Sequence, residues 1–256
     1  VVKILSIAGS DPSGGAGIQI DLKTFQALGI YGMAVPAALT AQNSERVTAT
    51  YPVPPRALSQ QIATLLSDIK PDAVKIGMLL TQQTVNTVAK AVRKYRIKHL
   101  VIDPVIRSSS GKMLIKPDAV RALKRAVFPL ALVITPNIPE AELLTGMRIM
   151  TDEDMDFAAG KLLDMGPRYV LIKGGHHASG EAVDTLYGGK TVLSFSTVRL
   201  KGEFHGTGCV LSSAIAVFIG QGLSVEKAVE KAKLFVEKML KKARPVGRGK
   251  TKYFRF

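Results

Sequence analysis

Lys3-Ile-Leu-Ser-Ile-Ala-Gly-Ser-Asp-Pro-Ser-Gly-Gly-Ala-Gly-Ile-Gln-Ile-Asp-Leu-Lys-Thr-Phe-Gln-Ala-Leu28 opens the chain with a strand, a glycine-rich turn and a helix. The strand is Lys3–Ile7, the turn Gly9-Ser-Asp-Pro-Ser-Gly-Gly-Ala-Gly17, and the helix Gly17–Leu28. The turn lacks the Gly-Lys-Ser/Thr that closes a P-loop and the spacing of a dinucleotide fingerprint. The helix places Gln19 and Asp21 in its first turns, near any ligand that sits beyond the strand.

The same alternation continues outward. Strands are expected at Met33–Ala38, Ala73–Ile76, Leu100–Asp103, Leu132–Thr135 and Tyr169–Lys173. Helices are expected at Pro55–Ile69, Thr81–Tyr95, Pro117–Val127, Asp152–Asp164, Gly206–Ile219 and Val225–Lys242. Val183–Tyr187 and Thr191–Phe195, joined by Gly188-Gly189-Lys190, read as an antiparallel hairpin. Strand and helix in turn give an α/β fold with a mostly parallel, doubly wound sheet. With no linker or repeat, residues 1–256 read as one domain, in which 245–256 form a basic C-terminal tail. Ligands of such sheets bind beyond the carboxyl ends of the strands.

Composition narrows the class. The chain is 46% hydrophobic and 21% charged, as in ordinary globular proteins. No apolar stretch is long enough to span a bilayer, and the N-terminal run lacks the layout of a signal peptide. The single cysteine, Cys209, cannot form an intrachain disulfide, which fits a cytoplasmic location. The formal net charge is +15, and residues 226–256 alone hold eleven Lys or Arg against three Glu. The pattern from Val225 to Leu240 makes those charges the solvated face of an amphipathic helix. No nucleic-acid motif accompanies them, so no nucleic-acid partner is expected, and no membrane partner either.

A second glycine turn, His205-Gly-Thr-Gly-Cys209, opens the apolar helix that follows. Backbone N–H groups at a helix start, with the helix dipole behind them, form an anion site. A phosphoryl group in flight suits such a site. Cys209 lies inside this turn, where a helix N-terminus is expected to lower a thiol pKa.

At this point several motifs resemble one family. The opening segment Ile7–Phe25, Ala38-Leu-Thr-Ala-Gln-Asn43, Lys75-Ile-Gly-Met78, Ile102-Asp-Pro-Val105, Thr135-Pro-Asn-Ile-Pro-Glu-Ala141, Lys173-Gly-Gly-His176 and His205–Cys209 are similar, in order, to hydroxymethylpyrimidine and phosphomethylpyrimidine kinases. The resemblance covers roughly residues 3–240. It implies a ribokinase-like three-layer α/β/α fold and ATP-dependent phosphorylation of the pyrimidine's hydroxymethyl group, then of the monophosphate. It implies Mg²⁺ as cofactor beside ATP, and a homodimer.

The resemblance also distributes roles. Gln42 is expected on the aminopyrimidine, which a neutral amide can both donate to and accept from. Asp21 and Gly9 are expected at the hydroxymethyl end or ring, with Met78 and Val105 as apolar walls. Glu140, with help from Asp103, is expected to organise Mg²⁺ through water, as that ion prefers. Lys173, Thr207 and Asn137 fall on the nucleotide side. Gly206, Gly208, Cys209 and Lys173 form the catalytic group. Simpler readings stand beside these: Met78 as core, Asp103 as a cap after its strand, Lys75 as a sheet-edge residue. Cys209 is either a general base, replacing the Asp of related sugar kinases, or a support for the anion hole.

Two stretches depart from the family pattern. Lys201-Gly-Glu-Phe204 stands where bacterial members usually show a Thr-x-Asn-Thr type segment, and the ending Pro245–Phe256 drifts. The alternative reading is a pyridoxal kinase of the same branch. Pro12, the Gln42-Asn43 pair and Lys173 favour the pyrimidine kinase.

Overall fold

Ile4 and Leu5, neighbours on one strand, are both fully buried. Successive strand residues point to opposite faces, so both faces of this sheet must be covered. The computed structural model describes residues 1–107, 113–176 and 181–256. In chain order its main elements begin with β1 (Lys3–Ser10), α1 (Gly17–Ala27), β2 (Tyr31–Gln42), β3 (Val47–Pro52), α2 (Pro55–Asp68), β4 (Ala73–Ile76) and α3 (Gln82–Lys94). Next come β5 (Leu100–Ile102), α4 (Pro117–Ala122), β6 (Val133–Ile134), α5 (Ile138–Thr145), α6 (Asp152–Leu163) and β7 (Tyr169–His176). The chain continues through β8 (Glu181–Gly188), β9 (Thr191–Val198), α7 (Thr207–Gly220), α8 (Val225–Lys242), β10 (Arg244–Pro245) and β11 (Lys252–Tyr253).

The nine-stranded sheet has the order β3-β2-β1-β4-β5-β6-β7-β8-β9. Pairing is parallel from β2 across to β7 and antiparallel at both margins. Ile4, Ala73, Val101, Val133 and Leu171 face one core with α1, α7 and α8. Leu5, Val74, Ile76, Ile102 and Ile134 face the other, with α2 to α6. This is the three-layer ribokinase-like arrangement expected.

Several boundaries differ from expectation for local reasons. Strand β3 was not anticipated. It forms because Asn43 turns the chain, its Oδ1 accepting the N–H groups of Glu45 (2.9 Å) and Arg46 (3.0 Å). Val47–Pro52 then returns along β2. The helix expected over Pro117–Val127 is α-helical only to Ala122 and winds wider over Leu123–Val127. Helix α5 was hidden inside the Asn-x-x-Glu motif: Asn137 Oδ1 accepts Glu140 N–H (2.9 Å), and Glu140 Oε2 accepts Asn137 N–H (3.0 Å). That reciprocal capping box starts the helix.

Lys75 is not at a sheet edge. It lies on β4, between β1 and β5, and is fully buried. The chain leaves β1 toward β2 on one side and later builds β4 on the other, so β1 and β4 flank the topological switch point. A crevice opens there beyond the carboxyl ends of the strands. Among the described residues, no helix is long and apolar enough to cross a membrane.

Candidate active site

The crevice has two connected parts. A small recess of about 60 Å³ is walled by Gly9, Gly77 and Met78 at the switch point, and by Thr40, Gln42 and Val105. It opens past Ala16 and Cys209 into a cleft of about 440 Å³ that holds Asp103, Asn137, Glu140, Lys173 and the turn Gly206–Gly208. The structure therefore brings Gln42, Gly9, Met78, Val105 and Cys209 to one compartment. It brings Asp103, Asn137, Glu140, Lys173, Thr207 and Gly208 to the other. Met78 packs close to Gly9, where a Cβ would come within 2.6 Å of its Cε, so the methionine serves as core and wall together.

Asp21 is not in the crevice. It is fully buried on the sheet side of α1. Lys75 Nζ donates to both of its oxygens at 2.9 Å, Ser6 Oγ donates at 2.5 Å and Ser213 Oγ at 2.7 Å. Burial alone would lower the Lys75 pKa; the Asp21 carboxylate outweighs it and holds the ammonium above its ordinary value. Gln19 is occupied too. Its Oε1 accepts Asp11 N–H (2.9 Å) and its Nε2 donates to Ser10 Oγ (2.7 Å), which ties the turn together.

The second turn forms the mouth of the larger cleft. Gly206 caps α7 in the left-handed region, at φ 78°. A Cβ there would strike the carbonyl of Gly15, so the two glycine turns rest backbone on backbone. The first intrahelical bond runs from Val210 N–H to Gly206 O (2.9 Å). The N–H groups of Thr207, Gly208 and Cys209 precede it and have no helical partner, as at any helix start. A Cβ on Gly208 would lie 2.9 Å from Lys173 Nζ, so the glycine lets the ammonium approach the turn.

Lys173 donates to Asp103 Oδ1 at 2.8 Å, and Thr135 Oγ1 donates to the same oxygen at 3.3 Å. Burial works against the Asp103 charge, but Lys173 and Lys75 outweigh it and hold the carboxyl below its usual range. Glu140 behaves oppositely. Burial pushes it up to about 7, with Lys173 opposing and the Asp103 charge adding to the rise. Its oxygens accept backbone N–H groups of Asn137 and Ile106. Among the described residues there is no cluster of three or more side chains able to hold a metal. Two neighbouring carboxylates beside a helix N-terminus nevertheless fit Mg²⁺, which usually takes one or two protein carboxylates, substrate phosphate and water.

Cys209 departs from expectation. The helix start was expected to lower its pKa, and the Gly17 N–H and the nearby Lys75 charge do act in that direction. Burial is stronger and pushes the thiol up to about 12.

Asp11 and His205, to which the motifs assign no role, hold the two glycine turns together. Asp11 Oδ1 accepts Ser13 N–H (2.8 Å) and Oγ–H (2.7 Å), while Oδ2 accepts the N–H groups of Gly15 (3.2 Å) and Ala16 (2.9 Å). His205 Nε2 lies 3.0 Å from Oδ2, joining the two turns. An Asp followed by Ser and glycines is a turn signal that could have flagged Asp11; its link to His205 across the chain leaves no local trace.

The sequence model of the family described as phosphomethylpyrimidine kinase matches residues 11–253. The chain is 45% identical over 247 residues to the thiamine biosynthesis bifunctional protein ThiED of Geobacter sulfurreducens, covering 96% of this chain and 50% of that protein. It thus spans about half the length of that relative. It is 43% identical over 256 residues to the hydroxymethylpyrimidine/phosphomethylpyrimidine kinase of Rhizobium meliloti, covering 98% of this chain and 96% of that one. Among solved structures, an ADP complex of Bacillus subtilis pyridoxal kinase is similar with a TM-score of 0.90 and 36% identity, over 100% of this chain and 97% of the other.

Proposed function

The chain belongs to the phosphomethylpyrimidine kinase family, and on that premise we propose that it transfers the γ-phosphoryl group of ATP to 4-amino-5-hydroxymethyl-2-methylpyrimidine and then to its monophosphate, in thiamin biosynthesis. It is a phosphotransferase, and residues 1–256 act as one kinase domain. The observation that carries the substrate assignment is the ring-sized recess beside Gln42, which opens at Cys209 onto the phosphate turn. In this reading Gln42 pairs with the amino group and a ring nitrogen, and Met78, Val105 and Gly9 flank the ring. Asp21 acts only from below the recess, through Lys75.

In the first transfer the hydroxymethyl oxygen attacks Pγ, the bond from Pγ to the β-phosphate bridging oxygen breaks, and ADP leaves. The hydroxyl proton departs to phosphate or water. In the second transfer a phosphate oxygen of the monophosphate is the attacking atom. The N–H groups of Thr207, Gly208 and Cys209 meet the charge on the equatorial oxygens, and Lys173 exchanges Asp103 for a phosphate oxygen. Asn137 and Thr207 border the nucleotide. Mg²⁺ would be held by Glu140 and Asp103 through water, and when bound it supplies charge neutralisation on the phosphates.

A coupled assay with ATP and Mg²⁺ tests the assignment, with hydroxymethylpyrimidine, its monophosphate and pyridoxal run side by side. We expect the pyrimidines to give the higher kcat/KM; preference for pyridoxal reverses the assignment to the runner-up. A homodimer in the cytoplasm completes the reading. The exposed apolar pair Leu39 and Tyr51, opposite each other on β2 and β3, is a surface that a second copy could cover, and light-scattering mass checks it.

Two predictions arise from the titrating groups. Glu140, pushed up to about 7, is neutral below that pH and ionised above it. Metal placement needs the charge, so kcat/KM for the metal nucleotide should rise about tenfold per pH unit up to about 7 and flatten beyond. The stability effect has the opposite sign. The native carboxyl holds its proton above the ordinary value of 4.5, so this group costs stability as pH rises from there through about 7. Glu140→Gln should erase the ascending limb and lower the plateau; an unchanged profile removes Glu140 from metal placement.

The second concerns Cys209. A thiol pushed up to about 12 is protonated at neutral pH and is a poor base. Cys209→Ser should therefore keep turnover within about tenfold of wild type, below the ~10²–10⁴-fold worth of a general base. A loss in that larger range, growing as pH rises, would restore the thiolate mechanism.

A further inference from the structure

Contacts from three parts of the chain converge on His205, the residue just before Gly206. Its Nε2 lies 3.0 Å from Asp11 Oδ2 in the first turn and 3.1 Å from Gln42 Nε2 on β2. Its ring meets the ring of Tyr253 at 5.1 Å between centroids, tilted by 53°. Its backbone N–H donates to Lys252 O at 2.9 Å, so the C-terminal strand holds it from behind. Tyr253 is itself buried, and its hydroxyl lies 3.2 Å from Ser13 Oγ in the first turn.

Hydrogen counting fixes the arrangement. The Asp11 carboxylate oxygen 3.0 Å away can only accept, so the proton sits on His205 Nε2. As placed, Gln42 Nε2 faces that nitrogen and Gln42 Oε1 faces Thr40 Oγ1 at 3.3 Å. With a proton on His205 Nε2 the amide is better satisfied with its O and N exchanged, so that oxygen accepts from His205 and NH₂ faces Thr40 Oγ1. Thr40 in turn donates to Ser10 O at 3.0 Å. In that orientation one His205 N–H is shared between Asp11 and Gln42.

This sharing has a consequence for ligand binding. An amide that turns to a pyrimidine edge withdraws its oxygen from His205. The imidazole N–H then goes wholly to Asp11, which also carries the N–H groups of Gly15 and Ala16, against which Gly206 rests. We propose that His205 is a positioning residue that couples occupancy of the ring recess at Gln42 to the geometry of the phosphate turn at Gly206, with Tyr253 as its backstop. The inference rests on the ring-recess reading given above. It also gives a task to the divergent C-terminal ending.

Coupling between two binding sites is reciprocal and measurable without turnover. The affinity of a non-hydrolysable ATP analogue with Mg²⁺ is measured by calorimetry, without and with saturating hydroxymethylpyrimidine. Wild type should bind the analogue about fivefold or more tightly in the presence of the pyrimidine. In His205→Ala each ligand should still bind alone, while the ratio falls to within about twofold of unity. Tyr253→Phe keeps the ring packing and should retain the wild-type ratio, whereas Tyr253→Ala should reduce it. A merely structural role would weaken both separate affinities and leave the ratio unchanged. An undiminished ratio in His205→Ala, or no coupling in wild type, overturns the inference. Should His205→Ala fail to fold, Tyr253→Ala decides by the same criterion. Failure of the pyrimidine to bind wild-type protein at all sinks the ring-recess reading and the coupling with it.

Discussion

Lys75→Met should destabilise the protein by about 3–5 kcal/mol, because it leaves the Asp21 carboxylate buried without its cation. The pair lies under the recess between β1, β4, α1 and α7, with both side chains wholly inaccessible. In wild type the desolvation cost of both ions is offset by two 2.9 Å hydrogen bonds from the lysine and by Ser6 and Ser213. Removing the lysine keeps the carboxylate's cost and loses most of the compensation. At this chain length such a loss corresponds to roughly 6–20 °C in Tm. Asp21→Asn should show a comparable loss, from an unpaired ammonium. The double variant Asp21→Asn/Lys75→Met should be less destabilised than the sum, since the asparagine oxygen still accepts from the serines. Chemical denaturation of the four proteins measures this. Additive losses would mean that the two ions do not act as a pair.

That pair also marks the boundary of what the sequence discloses. Asp21 sits four residues beyond the first glycine turn and looks like a ligand-facing acid. Its orientation follows from partners remote in sequence: Ser213 is 192 positions away and Lys75 is 54 away. The layer order was legible because it needs only local period. Val74 and Ile76 face one core and Ala73 the other, and such alternation is printed in the chain. The carboxyl-end location of the site followed from topology alone.

Residue placement was legible only where a motif served a single structural task. In Asn137-x-x-Glu140 two functions overlap. The same four residues that start α5 as a capping box also place a carboxylate beside Lys173. Cys209 shows the complementary failure. A helix start lowers a thiol pKa only if water or charge reaches the sulfur, and the degree of burial that reverses the effect is a property of three dimensions. The basic ending is similar. Its charges suggested a solvated tail, yet Tyr253 and Phe254 are buried, and Tyr253 lies behind the two glycine turns.

Gly206→Ala should lower kcat by about 10²–10³-fold, the usual worth of a displaced oxyanion or phosphate donor. Two independent costs meet at this position. The backbone is left-handed, at φ 78°, which disfavours any Cβ. The added carbon would also collide with the Gly15 carbonyl, a backbone atom that cannot rotate away. Relief requires the two glycine turns to separate, and in the proposed mechanism that moves the N–H groups of Thr207, Gly208 and Cys209 off the phosphoryl group. Misplacement of about 1 Å is enough for a loss of this size. Gly222→Ala separates the two costs. Gly222 has φ 89° but nothing within 4 Å of an added Cβ, so that variant should lose about 1 kcal/mol of stability and keep its turnover. Steady-state kinetics beside thermal melts of both variants make the comparison. If Gly206→Ala turns over within about threefold of wild type, or if Gly222→Ala falls equally far, the contact between the two turns does not shape the phosphate site.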